Sequence, residues 1–422
     1  MSEFQPYFTN DGSVGLYSKN YDDIYHSASG ALTEAYEKFI YPINWDILLL
    51  HDDIKILDIC YGIGYNTKSF LNYIFENKKE LIVRKNILKK IFSKNIDVEA
   101  IHTDNIIKGL KQIYTETVYT NNIFDNISVT AVDNDEILFG LSPFIKTGLK
   151  NFKNESSIIK RQNIEKYFKT KYKNIPKINN LINYQILIKI ATKFPEIFQN
   201  STILSILASK RYNKYLINDF KGLINLKLRL SSTRNKLINL HNIYYRYIAN
   251  RYKRRLEGYN VQDFDFNIVI DDARNIIKND TNLYNLIFLD AFTHSKCPCL
   301  WTYEFFKQLY SLLKNDGMLF TYSSAPQVRS AMKEAGFIIG NIYNQRLNKF
   351  QGTVAVKNES LIMYPLSETE IGLLNTKAGI FYRDKNLKAQ NEAIINTHKI
   401  EVENSNLISS SQYLKSRRNN GL

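Results

Sequence analysis

The sequence predicts an α/β fold built on an open sheet of seven strands with helical crossovers. Three observations indicate this fold. Seven β-rich runs alternate in several places with helix-compatible segments, a glycine loop follows the first run, and carboxylates follow four of the runs. In such sheets ligands bind beyond the carboxyl ends of the strands, so the residues directly after the runs are the candidates for a functional site.

The first run spans residues 54–58 and ends in Asp58, after which Gly62 and Gly64 lead into a predicted helix over 66–75. Glycines here allow the backbone to turn tightly and to approach a ligand at the helix N-terminus. A loop for a pyrophosphate usually has a third glycine, which is missing. An acid before the glycines suits a cationic ligand better, such as S-adenosylmethionine.

The loop departs from the common methyltransferase pattern, acid-x-Gly-x-Gly-x-Gly, because Cys60 takes the place of the first glycine. The acid and the other two glycines keep the pattern. We therefore predict that Asp58, Gly62, Gly64 and Asn66 bind S-adenosylmethionine, with the Asp58 carboxylate near its cationic end.

The second and third runs, 127–132 and 266–270, are each followed by a carboxylate. Asp133 follows the second run, where folds that bind S-adenosylmethionine place an acid on the ribose hydroxyls. Asp272 follows the third run, where an acid faces the adenine amino group. Taken singly, each acid is also typical of a turn or a helix cap.

Asp104 is the alternative to Asp133 as the ribose acid. It is the last residue of the segment 97–104, whose sequence pattern is similar to that of the segment ending in Asp133, and it lies within the long connection 78–126. We prefer Asp133 because residues 137–145 then form an amphipathic helix that leads onward.

The fourth run, 286–289, delivers Asp290 where the strand-like pattern stops, and Phe292, Lys296 and Trp301 follow. Aromatic residues can bind a flat ring, and the carboxylate before them can accept or donate a proton beside that ring. A helix-capping aspartate with a packed tryptophan is the alternative interpretation. We predict that Asp290, Phe292 and Trp301 form the catalytic part of the site. Three further runs complete the seven: 318–322, 337–342 and 352–356.

The 422 residues provide material for two or three domains, and charge divides the chain. Residues 141–260 contain 25 Lys and Arg against 5 Asp and Glu, whereas the other 302 residues contain 31 against 36. Apolar residues at helical spacing predict a basic helical insertion there. The predicted organisation is an N-terminal segment (1–50), a Rossmann-like core (51–140 and 261–360), this insertion (141–260) and a helical tail (361–422).

The end of the insertion mixes aromatic residues with cations, among them Arg251, Lys253, Arg254 and Arg255. This mixture is typical of surfaces that contact phosphates and bases, although a solvated helix face is the alternative. Because the excess positive charge is concentrated in one segment of an otherwise slightly acidic chain, we predict that this segment binds nucleic acid. Such binding weakens as the salt concentration rises.

Composition excludes several classes of protein. No apolar run approaches the roughly 18 residues of a membrane span, and the polar N-terminus lacks the apolar region of a signal peptide. Three cysteines do not make a disulfide scaffold, and the lone Cys297-Pro-Cys299 is poor support for zinc. We therefore expect a cytoplasmic protein with no membrane contact and no bound metal.

The stretch Asp290-Ala-Phe-x-x-x-Lys-x-Pro-x-x-Trp301 resembles the signature Asp-(Gly/Ala)-Phe-x-Pro-x-Lys-x-Pro-x-x-Trp of one family. This family is the methyltransferase component of the MnmC/MnmD-type enzymes that modify the tRNA wobble uridine. His294 stands where a proline is usual. Other stretches resemble the family's N-terminal segment, its fifth strand with the next helix, and the tail of stand-alone members: 11–13 with 25–34, 321–337 and 378–384.

The resemblance covers roughly residues 7–70 and 262–395. It implies a class I methyltransferase that uses S-adenosylmethionine to convert 5-aminomethyl-2-thiouridine in tRNA to the 5-methylaminomethyl form. It implies that Tyr25, His26 and Lys296 lie on the substrate side, and that the partner is a tRNA anticodon stem-loop. Bifunctional members add a flavin-dependent oxidase without a counterpart here. We therefore expect no FAD. We also expect that the substrate is supplied by a separate oxidase or by the enzyme complex that makes the aminomethyl intermediate.

Two other functions remain open at this point. An aminopropyltransferase of the spermidine-synthase kind has a similar sheet with acids at its strand ends, but it has no need of the basic insertion. A non-catalytic RNA-binding protein with a decayed methyltransferase core is the second, because Cys60 and His294 depart from the usual pattern. Binding of S-adenosylmethionine separates this second function from an active enzyme.

Overall fold

The computed structural model describes residues 4–9, 11, 13–18, 23–25, 30–93, 122–135, 138–139, 142 and 264–419. These residues form two sheets. The small antiparallel sheet contains β1 (Phe4–Phe8), β2 (Val14–Ser18) and β3 (Asp23–Ile24). The large sheet contains seven strands: β4 (Asp53–Ile59), β5 (Asn126–Asp133), β6 (Phe264–Ile270), β7 (Tyr284–Leu289), β8 (Leu313–Thr321), β9 (Ile338–Asn344) and β10 (Lys349–Val356).

The strands of the large sheet lie in the order β6-β5-β4-β7-β8-β10-β9. The first five run parallel to one another, whereas β10 is antiparallel to both β8 and β9. The chain proceeds from β4 outward to β6 and then returns to the other side of β4 with β7. Strand order therefore reverses between β4 and β7, and ligands bind at such a reversal in open α/β sheets.

These seven strands confirm the seven predicted runs, with ends that differ by a few residues. β5 ends at Asp133 and pairs in parallel with β4, so Asp133 closes the strand beside the glycine-loop strand. The segment that contains Asp104 lies outside the described residues, as does most of the helix predicted over 137–145.

Helices pack on both faces of the large sheet. Leu286 and Phe288 of β7 pack into one apolar core, and Ile287 and Leu289 pack into the other. Because both faces are covered, the strand is a continuous apolar run, as the sequence predicted. The first core is covered by α1 (Ala31–Ala35), a π-helical turn (Tyr36–Ile40), α2 (Trp45–Leu49), α3 (Tyr65–Glu76) and α4 (Lys78–Ser93). The second is covered by α5 (Ala273–Asn279), α6 (Tyr303–Leu312) and α7 (Pro326–Glu334).

The C-terminal region adds three helices: α8 (Glu368–Leu374), α9 (Asn391–Asn404) and α10 (Ser410–Asn419). Ser367 and Glu370 form a capping box that starts α8, since each side chain accepts a hydrogen bond from the other's backbone N–H. Among the described helices, none has both the length and the apolar character needed to cross a membrane.

Several predicted features lie outside the described residues. The insertion predicted over 141–260 is described only at Ser142, and the following substrate-side residues are also outside: His26, Arg251, Lys253, Arg254 and Arg255.

Candidate active site

A cavity of about 440 Å³ opens at the carboxyl ends of β4, β5, β6 and β7, where the strand order reverses. This volume lies in the range of small-molecule sites. Five of the residues predicted from the sequence line it: Tyr25, Asp133, Asp272, Asp290 and Phe292.

The loop after β4 has the backbone geometry that the glycine pattern predicted. Gly62 and Gly64 have φ angles of +57° and +82°, a region that side chains other than glycine rarely occupy. A Cβ atom on Gly64 would collide with the ring of Tyr61. A Cβ atom on Gly62 would have only Cys60 O, at 3.8 Å, and a Tyr25 ring carbon, at 4.0 Å, near it. Gly62 thus leaves open space beside the backbone, although neither Gly62 nor Gly64 is among the residues that line the cavity.

Cys60, which replaces the first glycine of the pattern, also has a positive φ of 60°. A cysteine in this region carries a modest backbone strain that a glycine avoids. The substitution therefore keeps the path of the loop, and the Cys60 side chain becomes part of the cavity wall.

Asp133 joins the glycine loop to the end of β5. Its Oδ2 accepts a hydrogen bond from the Gly62 backbone N–H at 2.8 Å, and its Oδ1 accepts one from Asp135 at 3.0 Å. Burial raises the pKa of Asp133 to about 6, although these backbone donors oppose the shift. Two predicted cofactor residues are thereby in direct contact.

Asp58 lies within β4, fully buried, and it is not among the residues that line the cavity. One carboxylate oxygen accepts a hydrogen bond from the Thr67 hydroxyl, and within the described structure the other, Oδ1, has no partner. Burial raises the pKa of Asp58 to about 8, and the nearby charges of Asp290 and Asp133 add to the shift. An unpaired buried carboxylate oxygen is costly, so its presence at the strand reversal favours a functional role.

Asp290 lies directly after β7 and lines the cavity. The side-chain amide of Asn66, from the first turn of α3, donates a hydrogen bond to its Oδ2 at 3.1 Å. Burial raises the pKa of Asp290 to about 7, and the negative charge of Glu34 adds to this, while Asn66 and the Lys38 ammonium oppose it. Asn66 therefore binds Asp290 in this structure and is not itself among the residues that line the cavity.

Phe292 and Tyr25 form an aromatic wall beside Asp290, with ring centroids 4.7 Å apart in an edge-to-face arrangement. Trp301 is a correction to the prediction. Its side chain is fully buried against Phe306 and Tyr322, away from the cavity that the described residues form, because the apolar core takes up the whole indole. The indole N–H donates to the Phe292 carbonyl at 2.8 Å, so Trp301 holds the aromatic wall in place without reaching a ligand itself.

Asp272 lines the cavity but is also the N-cap of α5 and an ion-pair partner. Its oxygens accept from the backbone N–H of Arg274 at 2.9 Å and from the guanidinium at 2.7–3.1 Å. Burial acts to raise the pKa of Asp272, but the Arg274 hydrogen bonds outweigh it and the pKa is lowered. Asp272 is thus a helix cap, as the alternative interpretation of the sequence had it. Only the lone pairs of its carboxylate that Arg274 leaves free can accept a hydrogen bond from a ligand.

Lys296 is exposed and lies outside the cavity lining. Its backbone carbonyl accepts a hydrogen bond from the side-chain amide of Asn391 at 3.5 Å. Its assignment to the substrate side stays a prediction.

The sequence interpretation missed several cavity residues. Glu34 on α1 lies in the stretch 25–34 that resembles the family's N-terminal segment, but its residue type and position alone do not indicate a chemical role. The C-terminal region supplies part of the cavity wall, namely Ala389, Gln390 and Asn391. No local sequence pattern indicates this, because these residues come about a hundred positions after the strands that form the site. All three cysteines of the chain, Cys60, Cys297 and Cys299, also line the cavity.

Residues 235–358 match a protein-family model described as S-adenosyl-L-methionine-dependent methyltransferase. An uncharacterized protein of Methanocaldococcus jannaschii is 32% identical over 136 residues, which is 32% of this chain and 38% of that protein. The tRNA 5-methylaminomethyl-2-thiouridine biosynthesis bifunctional protein MnmC of Actinobacillus pleuropneumoniae serotype 5b is 32% identical over 75 residues, 18% of this chain and 11% of that protein. The chain thus matches well under half the length of these relatives.

The fold is also similar to a solved structure. The crystal structure of MNMC2 from Aquifex aeolicus superposes with a TM-score of 0.51 over 96% of this chain and 87% of that one, at 18% sequence identity. The strand order, the reversal site and the family match agree with the resemblance found in the sequence. The chain therefore contains a class I S-adenosyl-L-methionine-dependent methyltransferase domain of the type found in the MnmC proteins.

Proposed function

We propose that this protein methylates the 5-aminomethyl group of the tRNA wobble (2-thio)uridine, giving 5-methylaminomethyl-2-thiouridine, with S-adenosylmethionine as the methyl donor. The observation that carries the proposal is Asp290, a carboxylate with a pKa near neutrality beside the aromatic wall of Tyr25 and Phe292, at the strand reversal of a methyltransferase domain. The MnmC relatives are named for tRNA 5-methylaminomethyl-2-thiouridine biosynthesis, which supports this choice of substrate.

The residues around the cavity fit the cofactor. Gly62 leaves open space beside the loop backbone, and Asp58, which is buried outside the cavity lining, has a carboxylate oxygen without a partner in the described structure. In this proposal Asp133 holds the ribose hydroxyls with the lone pairs that its backbone donors leave free, and Asp272 accepts from the adenine amino group. The cofactor supplies an electrophilic methyl group when bound.

Asp290 prepares the substrate amine for methylation. A primary alkylamine is largely protonated at neutral pH, and an ammonium has no lone pair with which to attack. A carboxylate with a pKa of about 7 can accept that proton, directly or through water, and orient the nitrogen. Most of the rate then comes from holding nitrogen, methyl group and sulfur in line. Phe292 and Tyr25 would pack against the base, which must leave its stack to reach the cavity.

The proposed partner is the tRNA anticodon stem-loop, with the basic segment 141–260 as its main contact. The protein does not make its own substrate in this proposal. A separate oxidase, or the enzyme complex that makes the aminomethyl intermediate, supplies it.

The proposal is tested first by nucleoside mass spectrometry of tRNA from a strain that lacks the gene. We expect the 5-aminomethyl nucleoside to accumulate, and the purified protein with S-adenosylmethionine to methylate it in that tRNA. A nucleoside profile identical to that of the parent strain, with no methyl transfer in vitro, would contradict the proposal.

The second test is the Asp290→Asn variant, which keeps the size of the side chain and removes the base. Turnover should fall by about 100-fold or more, while the affinities for cofactor and tRNA stay within a few-fold. Since the base must be ionised, the parent's rate should fall as the pH drops below about 7. Asp265→Asn, at an exposed position on β6, is the matched control. A rate for Asp290→Asn close to that of Asp265→Asn would remove Asp290 from the mechanism.

A further inference from the structure

Glu34 is carried into the cavity by a helix whose start is firmly fixed. The Asp11 carboxylate accepts a hydrogen bond from the backbone N–H of Thr33 at 2.8 Å, and the Ser13 hydroxyl accepts one from Ala31 at 3.0 Å. Asp11 also packs so closely on Gly30 that a Cβ atom there would collide with its carboxylate. These contacts satisfy the first N–H groups of α1 and set its position. Glu34, one turn later, therefore lies at a defined place in the cavity wall.

The wall around Glu34 is rich in carboxylates, and its cations already have anionic partners. Glu34 forms an ion pair with Lys38 one helical turn away, and the two side chains are about equally buried, at 16% and 15% exposure. The Lys38 ammonium also lies 5.4 Å from the centre of the Tyr322 ring. Arg274, which lines the cavity, is bound by Asp272 and by the buried Asp384. Such a wall favours a cationic ligand over an anionic one.

We propose that Glu34 is the second carboxylate of the substrate subsite, and that together with Asp290 it binds a primary ammonium group. This inference rests on the proposed function and deepens it, because it names the group that the subsite recognises. An alkylammonium has three donors, so two carboxylates of one cavity can both accept from it. Lys38 supplies the countercharge for Glu34 while the subsite contains no ligand cation.

The two carboxylates have different tasks because their surroundings differ. Glu34 is on a helix and paired with Lys38, whereas Asp290 lies at a strand end with the neutral Asn66 amide as its hydrogen-bond donor. The charged and titratable groups that interact with Asp290 are Glu34 from α1, Lys38 from the π-helical turn after it, and Asp58 and Cys60 from β4 and its loop. Among these, Glu34 makes the largest contribution after burial, and it raises the pKa of Asp290. Pairs of carboxylates separated in this way serve as proton acceptor and charge partner in many active sites.

The first test compares Glu34→Gln with Glu37→Gln in methylation of tRNA that contains 5-aminomethyluridine. Glu37 is three positions away, and its carboxylate is held by Asn344 and Arg346, away from the cavity lining, so Glu37→Gln is the matched control. Losing a charge-assisted hydrogen bond to the ammonium should raise KM about 10-fold in Glu34→Gln. The Kd of S-adenosylmethionine, measured by calorimetry, should stay within two-fold for both variants.

The second test measures Asp290 without any turnover. In protein labelled with carbon-13 at the aspartate carboxyl, the Asp290 resonance is the one that Asp290→Asn removes. Its titration midpoint should lie near 7 in the parent. In Glu34→Gln the midpoint should move about half a pH unit or more downward, and the acidic limb of the pH–rate profile should move with it. Glu37→Gln should leave both unchanged.

The two tests separate this inference from the proposed function. If Glu34→Gln leaves KM and the Asp290 midpoint at the parent's values while the parent methylates tRNA, the role of Glu34 is overturned and the function stands. If the parent transfers no methyl group to this tRNA, the function fails, and the ammonium subsite fails with it whatever the titration gives. A KM increase that Glu37→Gln reproduces would also overturn the role of Glu34, since it would then reflect the helix as a whole.

Discussion

Three buried aspartates, Asp58, Asp133 and Asp290, share one electrostatic property. Burial raises the pKa of each, to about 8, 6 and 7 respectively. In the folded protein each carboxylate therefore holds its proton to a higher pH than in the unfolded chain, where its pKa has the ordinary value of 3.8. Groups of this kind reduce stability at neutral pH, and proteins retain them where a ligand or a reaction needs them.

Asp58 gives this idea its clearest test. The pKa of Asp58 is higher in the folded protein than in the unfolded chain. Its favourable contribution to the free energy of unfolding is therefore fully present below about pH 4 and is lost as the pH rises towards about 8. Asp58→Asn keeps an acceptor for Thr67 and removes the titration. Without cofactor, the free energy of unfolding of Asp58→Asn minus that of the parent should increase between about pH 4 and pH 8, by roughly 1.4 kcal/mol per pH unit at most. Thermal unfolding at pH 5, 6, 7 and 8 checks this, and an advantage that stays constant with pH would contradict it.

The positions of residues could be predicted where a local pattern determines them, whereas their roles stay predictions. Asp133 and Asp290 were found because each directly follows a β-rich run, and parallel strands bring their carboxyl ends to one edge. Trp301 was misplaced because the sequence shows a tryptophan after a loop and not which side of the loop the apolar core occupies. Glu34 reaches the cavity through contacts of Asp11 and Ser13, some twenty positions earlier, which no local pattern reveals.

At the scale of elements, a buried arginine, Arg274, is one of the links between the C-terminal region and the core. Arg274 on α5 donates to Asp384 at 2.9 Å and to the Ala389 carbonyl at 2.8 Å, while it also binds Asp272. Ala389 and its two successors form part of the cavity wall. Arg274 therefore couples the position of the proposed adenine acid to a segment more than a hundred residues later in the chain.

Arg274→Gln should destabilise the protein and weaken cofactor binding together. Removing one partner of a buried ion pair leaves the other carboxylate uncompensated, which costs about 3 kcal/mol or more. Arg383→Gln is the control, because Arg383 pairs with Glu304 near the surface, where an ion pair contributes at most about 1 kcal/mol. Denaturant unfolding and calorimetric binding of S-adenosylmethionine measure both effects. Equal losses of stability in the two variants would show that the buried link is unimportant.

The elements themselves were predicted unevenly. The strands of the large sheet and α3 were predictable because apolar runs and glycine turns are local signals. The small sheet β1-β2-β3 was not, because its strands have only five, five and two residues, too few for a periodic pattern. The antiparallel placement of β10 between β8 and β9 also depends on tertiary pairing that the run 352–356 does not encode alone.

At the scale of the whole molecule, the charges of the cavity and of the basic segment are opposite. The cavity wall contains Glu34, Asp133, Asp272 and Asp290, which suits a cationic amine but repels the phosphates next to the same nucleotide. The chain outside 141–260 has 31 basic against 36 acidic residues, so it offers no net attraction to RNA. In the proposed function, we therefore expect tRNA to be attracted mainly by the segment 141–260, with its 25 basic and 5 acidic residues.

Reversing four of these charges, at Arg251, Lys253, Arg254 and Arg255, should weaken tRNA binding and flatten its salt dependence. Each phosphate contact that is lost removes about 0.7–0.9 from the slope of log K against log salt. Filter binding or fluorescence anisotropy at four salt concentrations measures the slope, and the affinity for S-adenosylmethionine should not change. The matched control reverses four exposed lysines on the described surface: Lys278, Lys333, Lys399 and Lys415. If both variants keep the parent's slope, the cations at 251–255 form a solvated face. If both lower it equally, net charge alone governs binding, and the segment has no special part in it.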